Sequence, residues 1–83
     1  MDMKSKLKAR MIEKGINQQQ LSEIIGITYQ SFSLKMNRKK DFKHSELVII
    51  SKVLGLTPFD IYEIFFDESS LYSDINKLKN WHE

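Results

Sequence analysis

The stretch INQQQLSEIIGITYQSFSLKM, residues 16–36, sets a helix-starting residue on either side of a single glycine. Asn17 is a good N-cap, because its side-chain oxygen can take a backbone N–H two or three residues on, and Gln20 stands where a capping-box partner would answer. Leu21, Ile24 and Ile25 then form an apolar stripe, which we expect to be buried. Gly26 ends that helix in the left-handed conformation that glycine reaches at little cost. Past Ile27, Thr28 can cap a further helix running to Met36. With Phe32 taken as inward, Thr28 and Met36 lie within about 40° of it at about 100° per residue. The opposite face then presents Gln30, Ser33, Leu34 and Asn37, flanked by Tyr29 and Ser31.

The same signals recur on both sides of this unit. Leu7, Met11 and Ile12 at helical spacing, with Gly15 as a stop, predict a first helix over 4–14, after which Ile16 re-enters the core. Residues 37–42 read as a loop from which Phe42 returns inward. A fourth helix is expected over 44–54, with Leu47, Ile50, Val53 and Leu54 inward and Gly55 as its stop. Its start looks weak, since Lys43 stands at the N-cap and cannot accept a hydrogen bond. Thr57-Pro58-Phe59-Asp60 supplies a cap, a first-turn proline and a carboxylate for a fifth helix through Phe65. Nothing reads as a strand, a repeat or a linker. The expectation is an all-α, five-helix domain over 1–66. A tail over 67–83 would pack on it or at a dimer interface, with Ile75 and Leu78 compatible with a short extra helix over 73–80.

The chain of 83 residues buries only about 60 to 65% of its unfolded surface at such a size, which leaves little room for a large catalytic cleft. It has no cysteine, so disulfide frameworks, thiolate metal sites and thiol redox chemistry are excluded. His44 and His82 lack a second ligand at metal spacing, the acidic residues are scattered, and no Gly-rich phosphate loop occurs, so neither an enzyme nor a cofactor is expected. The apolar runs at 47–50 and 64–66 are far short of the roughly 18 residues of a membrane span, and the first ten residues lack a secretory apolar block. A cytoplasmic protein is expected. Charge is divided unevenly: residues 1–40 carry nine cations and three anions, net +6, and residues 41–83 four cations and eight anions, net −4. The first half is suited to a polyanion.

Two short helices joined by a glycine-containing turn make a helix-turn-helix, whose second helix can lie in the DNA major groove. Here the sequence resembles the phage-repressor-like helix-turn-helix proteins of the lambda repressor and Cro type (XRE family). The resemblance rests on INQQQLSEIIGIT and ISKVLGLTPFDIYEIF, covers about 7–66, and in SFSLKMNRKKDF and IFF is closer to small phage Cro-like regulators. It implies a lambda-repressor-like fold. It also implies that Gln18 donates to a phosphate, that Tyr29, Gln30, Ser33 and Leu34 face base edges, and that Asn37 and the basic loop meet the DNA backbone. The expected phosphate contacts are Asn17, Gln18, Ser31, Lys35, Asn37, Arg38, Lys39 and Lys40.

Three positions depart from the family pattern. Arg38 replaces the common glycine after the second helix, so that turn must use Asn37 in the left-handed conformation or take another path. Ser22 replaces an alanine, and Leu34 stands where many relatives place a polar reader. Chemically, Gln30 can pair bidentately with adenine and Leu34 or Tyr29 can meet a thymine methyl, whereas the cations hold phosphates without reading sequence. Tyr29 has the alternative of capping the core with its ring. The function expected is an operator-binding transcriptional regulator, a phage or prophage repressor acting in a bacterial host at the nucleoid. Its partner would be double-stranded DNA with an inverted repeat, bound as a homodimer with no small-molecule ligand. The alternative is a protein-interaction module, an antitoxin or anti-repressor partner on the same fold, suggested by the acidic second half and the aromatic tail.

Overall fold

A computed structural model describes residues 2–66 as five helices: α1 Met3–Lys14, α2 Gln18–Ile25, α3 Tyr29–Met36, α4 His44–Leu54 and α5 Pro58–Phe65. No strand occurs among the described residues. The expected sixth helix over 73–80, and the aromatic residues of the tail, lie outside them.

Each helix begins and ends where local chemistry dictates. Asp2 accepts the Ser5 N–H at 2.9 Å to open α1 at Met3, one residue before the apolar pattern alone indicates. Thr57 and Asp60 exchange side-chain and backbone bonds at the start of α5, 2.9 and 3.1 Å, with Pro58 preset at the first helical position. These bonds favour the ionised Asp60 carboxylate, chiefly through the Thr57 backbone, and hold its pKa below the ordinary value. The start of α4 is the instructive case. Lys43 offers no side-chain cap, but the Glu46 carboxylate reaches back to its N–H at 2.8 Å. The expected weakness is thereby offset by the acid in the first turn.

Helix α2 packs on α3 and α4, and α1 packs on α4 and α5. Leu7, Leu21, Phe32 and Ile50 are fully buried at the centre, with Met3, Met11, Met36, Leu54, Ile64 and Phe65 around them. Phe42 comes back from the loop as expected and sits edge-on between Phe32, 5.8 Å away, and Phe65, 5.5 Å away. Each such edge-to-face pair contributes about 0.5 to 1.5 kcal/mol beyond the area buried. Arg10 of α1 bonds Asp60 of α5 at 2.9 Å, and Lys6 donates to the Glu63 carbonyl at 2.9 Å, closing the two ends of the fold on each other.

Two of the apolar residues that mark α1 and α2 in the sequence, one of them expected to be buried, lie outside the core. Ile12 is 78% exposed and Ile24 is 50% exposed. In α1 the inward row is Met3, Leu7 and Met11, four residues apart, and Ile12 falls about 100° beyond Met11. In α2 the buried pair is Leu21 and Ser22. Serine at 22 is therefore at a tight packing position, its hydroxyl satisfied by the Gln19 carbonyl at 2.8 Å.

Candidate nucleic-acid interface

The turn between α2 and α3 is set by Gly26, at φ 89°, whose N–H and that of Ile27 both close on the Ser22 carbonyl. A left-handed residue here lets the chain reverse within three residues and set the half-buried Ile27 side chain against the core before Thr28 caps α3. Thr28 Oγ1 accepts the Ser31 N–H at 3.0 Å. The result is the helix-turn-helix the sequence predicts, with Phe32 and Met36 inward and Tyr29, Gln30 and Leu34 on the outside.

On that outer face Tyr29 is 46% and Leu34 39% exposed. Tyr29 does not cap the core. Its ring walls a surface groove of about 400 Å³ with Met11, Ile12 and Ile16 of α1 and the turn beyond it, beside Gln18 and Gln19. Ser33 is half-buried and accepts a hydrogen bond from the Gln18 amide, tying the first residue of α2 to the middle of α3. The amide carries a second N–H. Asn17 and Gln20 complete a capping box, at 2.8 and 2.9 Å, which uses the Asn17 backbone N–H internally. What Asn17 can offer DNA is its side-chain amide group, next to the backbone N–H groups of Gln18 and Gln19. Ser31, its N–H taken by Thr28, has only its hydroxyl.

At the far end of α3, Asn37 donates to the Ser33 carbonyl at 2.8 Å and accepts from Lys4 at 3.2 Å. A line of hydrogen bonds thus runs from α2 across α3 to α1. It brings in Lys4, a cation the sequence reading did not single out; its only signal there was membership of the basic first half. The turn after α3 resolves the question posed by the missing glycine. Asn37 stays at φ −91°, and Arg38 itself takes the left-handed conformation at φ 59°. Its N–H closes on the Lys35 carbonyl at 3.2 Å and the Lys39 N–H on the Leu34 carbonyl at 2.8 Å, a Schellman closure with arginine in glycine's place. Arg38, Lys39 and Lys40 follow one another on the exposed surface.

Lys35 must be removed from the expected phosphate contacts. It is 6% exposed, and its ammonium sits 2.6 Å from both oxygens of Glu46. On α3 it lies about 60° from Phe32, near enough to the inward face for Glu46 of α4 to meet it. Burial alone would raise the Glu46 pKa, but the bond from Lys35, the Lys43 N–H and the neighbouring charges outweigh it and hold the carboxyl below its ordinary value.

A family model described as a Cro/C1-type HTH DNA-binding domain matches residues 6–67, which takes in all of this geometry except the first residues of α1. The chain belongs to that family. It is a DNA-binding helix-turn-helix protein of the Cro/C1 type, and its described residues form the all-α, five-helix, lambda-repressor-like fold that the resemblance implied. Comparison with curated proteins and with solved structures gives no match. Among the described residues no helix is long and apolar enough to cross a membrane, and no group of three or more acidic or histidine side chains is placed to hold a metal.

Proposed function

We propose that this Cro/C1-type protein is a sequence-specific transcriptional regulator, a phage or prophage Cro-like repressor that reads an operator with α3 and excludes polymerase by occupying it. One observation carries the reading: α3 exposes a mixed polar and apolar face directly before a run of three exposed cations, in a family whose domain binds DNA. Tyr29, Gln30, Ser33 and Leu34 would meet base edges. Asn17, Gln18, Ser31, Asn37, Arg38, Lys39 and Lys40, with Lys4 beside Asn37, would hold the phosphates on either side. The groove-facing helix carries sequence discrimination, and the cations carry the salt-dependent part of the affinity.

Helix α5 supports dimerisation as the route to a two-fold operator. Phe59 and Tyr62, 71% and 50% exposed, lie three residues apart on one side of the helix, and Phe66, 39% exposed, follows as its C-cap. A two-fold contact there would set two copies of α3 toward successive major grooves, about 34 Å apart. The domain over 1–66 would then hold the DNA-binding work. The same aromatic row is what favours the second reading, a module that binds another protein.

Amide chemical-shift mapping during titration with duplex DNA tests the reading. Shifts concentrated at the start of α2, along 29–34 and through 37–40 are expected. Shifts absent there at low salt, with the α5 row responding instead to a protein partner, would overturn it.

A further inference from the structure

One carboxylate gathers three pieces of chain. Both Glu46 oxygens bond Lys35 at 2.6 Å, and Oε1 also accepts the Lys43 N–H at 2.8 Å. Lys35 is in the last turn of α3, Lys43 directly precedes α4, and the basic loop over 37–42 runs between them. Glu46 therefore clasps that loop at both ends, while the turn at Arg38 fixes its opening residues. The two charged side chains are each 7% exposed, so dissolved salt screens their attraction far less than it screens contacts at the surface. A buried ion pair is poor at adding net stability, because desolvation offsets its attraction, and its better-attested use is to fix one geometry among several.

We infer that Glu46 is a specificity-determining positioning residue: through Lys35 and the Lys43 N–H it sets the register between the outer residues of α3, Ser33 and Leu34, and the loop cations Lys39 and Lys40. The inference rests on the reading that this face and this loop bind an operator together. Glu46 is buried and touches no phosphate; it acts by holding the residues that do. Phosphate contacts fix where a protein sits on the duplex, and base contacts report the sequence only when that seat is correct. With the clasp released, the cations would still attract any duplex but no longer in step with α3.

The test compares wild type, Glu46→Gln and the double variant Lys35→Met with Glu46→Gln. Two probes are used: the duplex most enriched from a random pool by the wild-type protein, and the same duplex with its sequence shuffled. Removing an anion ordinarily strengthens binding to every duplex alike. A purely structural role weakens both alike. The inference predicts that both variants, with wild-type helix content by circular dichroism, lose about tenfold on the enriched duplex, the worth of one good base contact, and change less than about twofold on the shuffled one. The double variant leaves no buried charge unpaired, so it keeps the comparison sound if Glu46→Gln folds poorly. Equal changes on both duplexes in the double variant would overturn the inference. Failure of the wild type to enrich any duplex would instead overturn the operator reading on which it rests.

Discussion

Arg38 holds a backbone conformation that glycine would hold more cheaply, and replacing it separates what the side chain does from what the backbone does. At φ 59° an L-residue is crowded by its own Cβ, at a cost of about 1 to 2 kcal/mol. Arg38→Gly relieves that crowding but enlarges the unfolded ensemble, a loss of about 0.4 to 1 kcal/mol. The net expectation is stabilisation of roughly 0.5 to 1 kcal/mol relative to Arg38→Ala, which keeps the crowding and removes the same side chain. Every contact of the arginine side chain is lost equally in the two variants, so their difference isolates the backbone. In a domain of this size it corresponds to a midpoint difference of about 2 to 8 °C in thermal unfolding, well resolved by calorimetry or circular dichroism. Both variants should bind DNA less tightly, with the slope of log K against log salt reduced by about 0.9, the loss of one phosphate contact. An Arg38→Gly protein no more stable than Arg38→Ala would show that the left-handed turn carries no strain. An unchanged salt slope in both would show that Arg38 holds no phosphate.

Gln30→Ala is expected to weaken binding to a preferred duplex by about 1 to 3 kcal/mol with altered base preference, whereas Lys39→Ala should weaken all sequences alike; competition binding on preferred and shuffled duplexes checks both. Glu46 is held below its ordinary pKa of 4.5, so its contribution is fully present above that pH and is lost as pH falls through the lower folded value. Urea unfolding should therefore show Glu46→Gln less stable than wild type at neutral pH, by about 1 to 3 kcal/mol, with the gap closing below about pH 4.5; a gap independent of pH would count against the pair. Phe32→Ala should destabilise by about 3 to 5 kcal/mol in the same assay, since Phe32 is fully buried and stacks edge-on against Phe42.

The five helices were legible because their ends are written locally. Asn17 with Gln20, Thr28, and Thr57 with Pro58 and Asp60 act on neighbours within three residues, and the glycines at 15, 26 and 55 within four, so no knowledge of the tertiary fold was needed. What the sequence hid depends on partners farther along the chain. Lys35 reads as one more cation of a basic run, and its burial follows only when α4 brings Glu46, eleven residues later, across its path. Glu46 was nonetheless legible in another respect: an acid three residues after a capless Lys43 is half of a capping box. Ile24 read as buried because periodicity says which side of a helix is apolar, not how wide a strip its neighbours cover. Without a glycine after α3, the sequence left open whether Asn37 takes the left-handed conformation or the turn follows another path. The two main-chain bonds to the Leu34 and Lys35 carbonyls place it one residue later, at Arg38.

The account stands most directly on whether α3 reads a sequence. Selection of bound duplexes from a random pool, at about 100 mM salt where non-specific phosphate contacts are already weakened, followed by sequencing of the retained pool, measures that. The account predicts enrichment of one inverted repeat, its halves about one helical turn apart, as a dimer with paired α3 helices requires. A retained pool with no enriched sequence would contradict it.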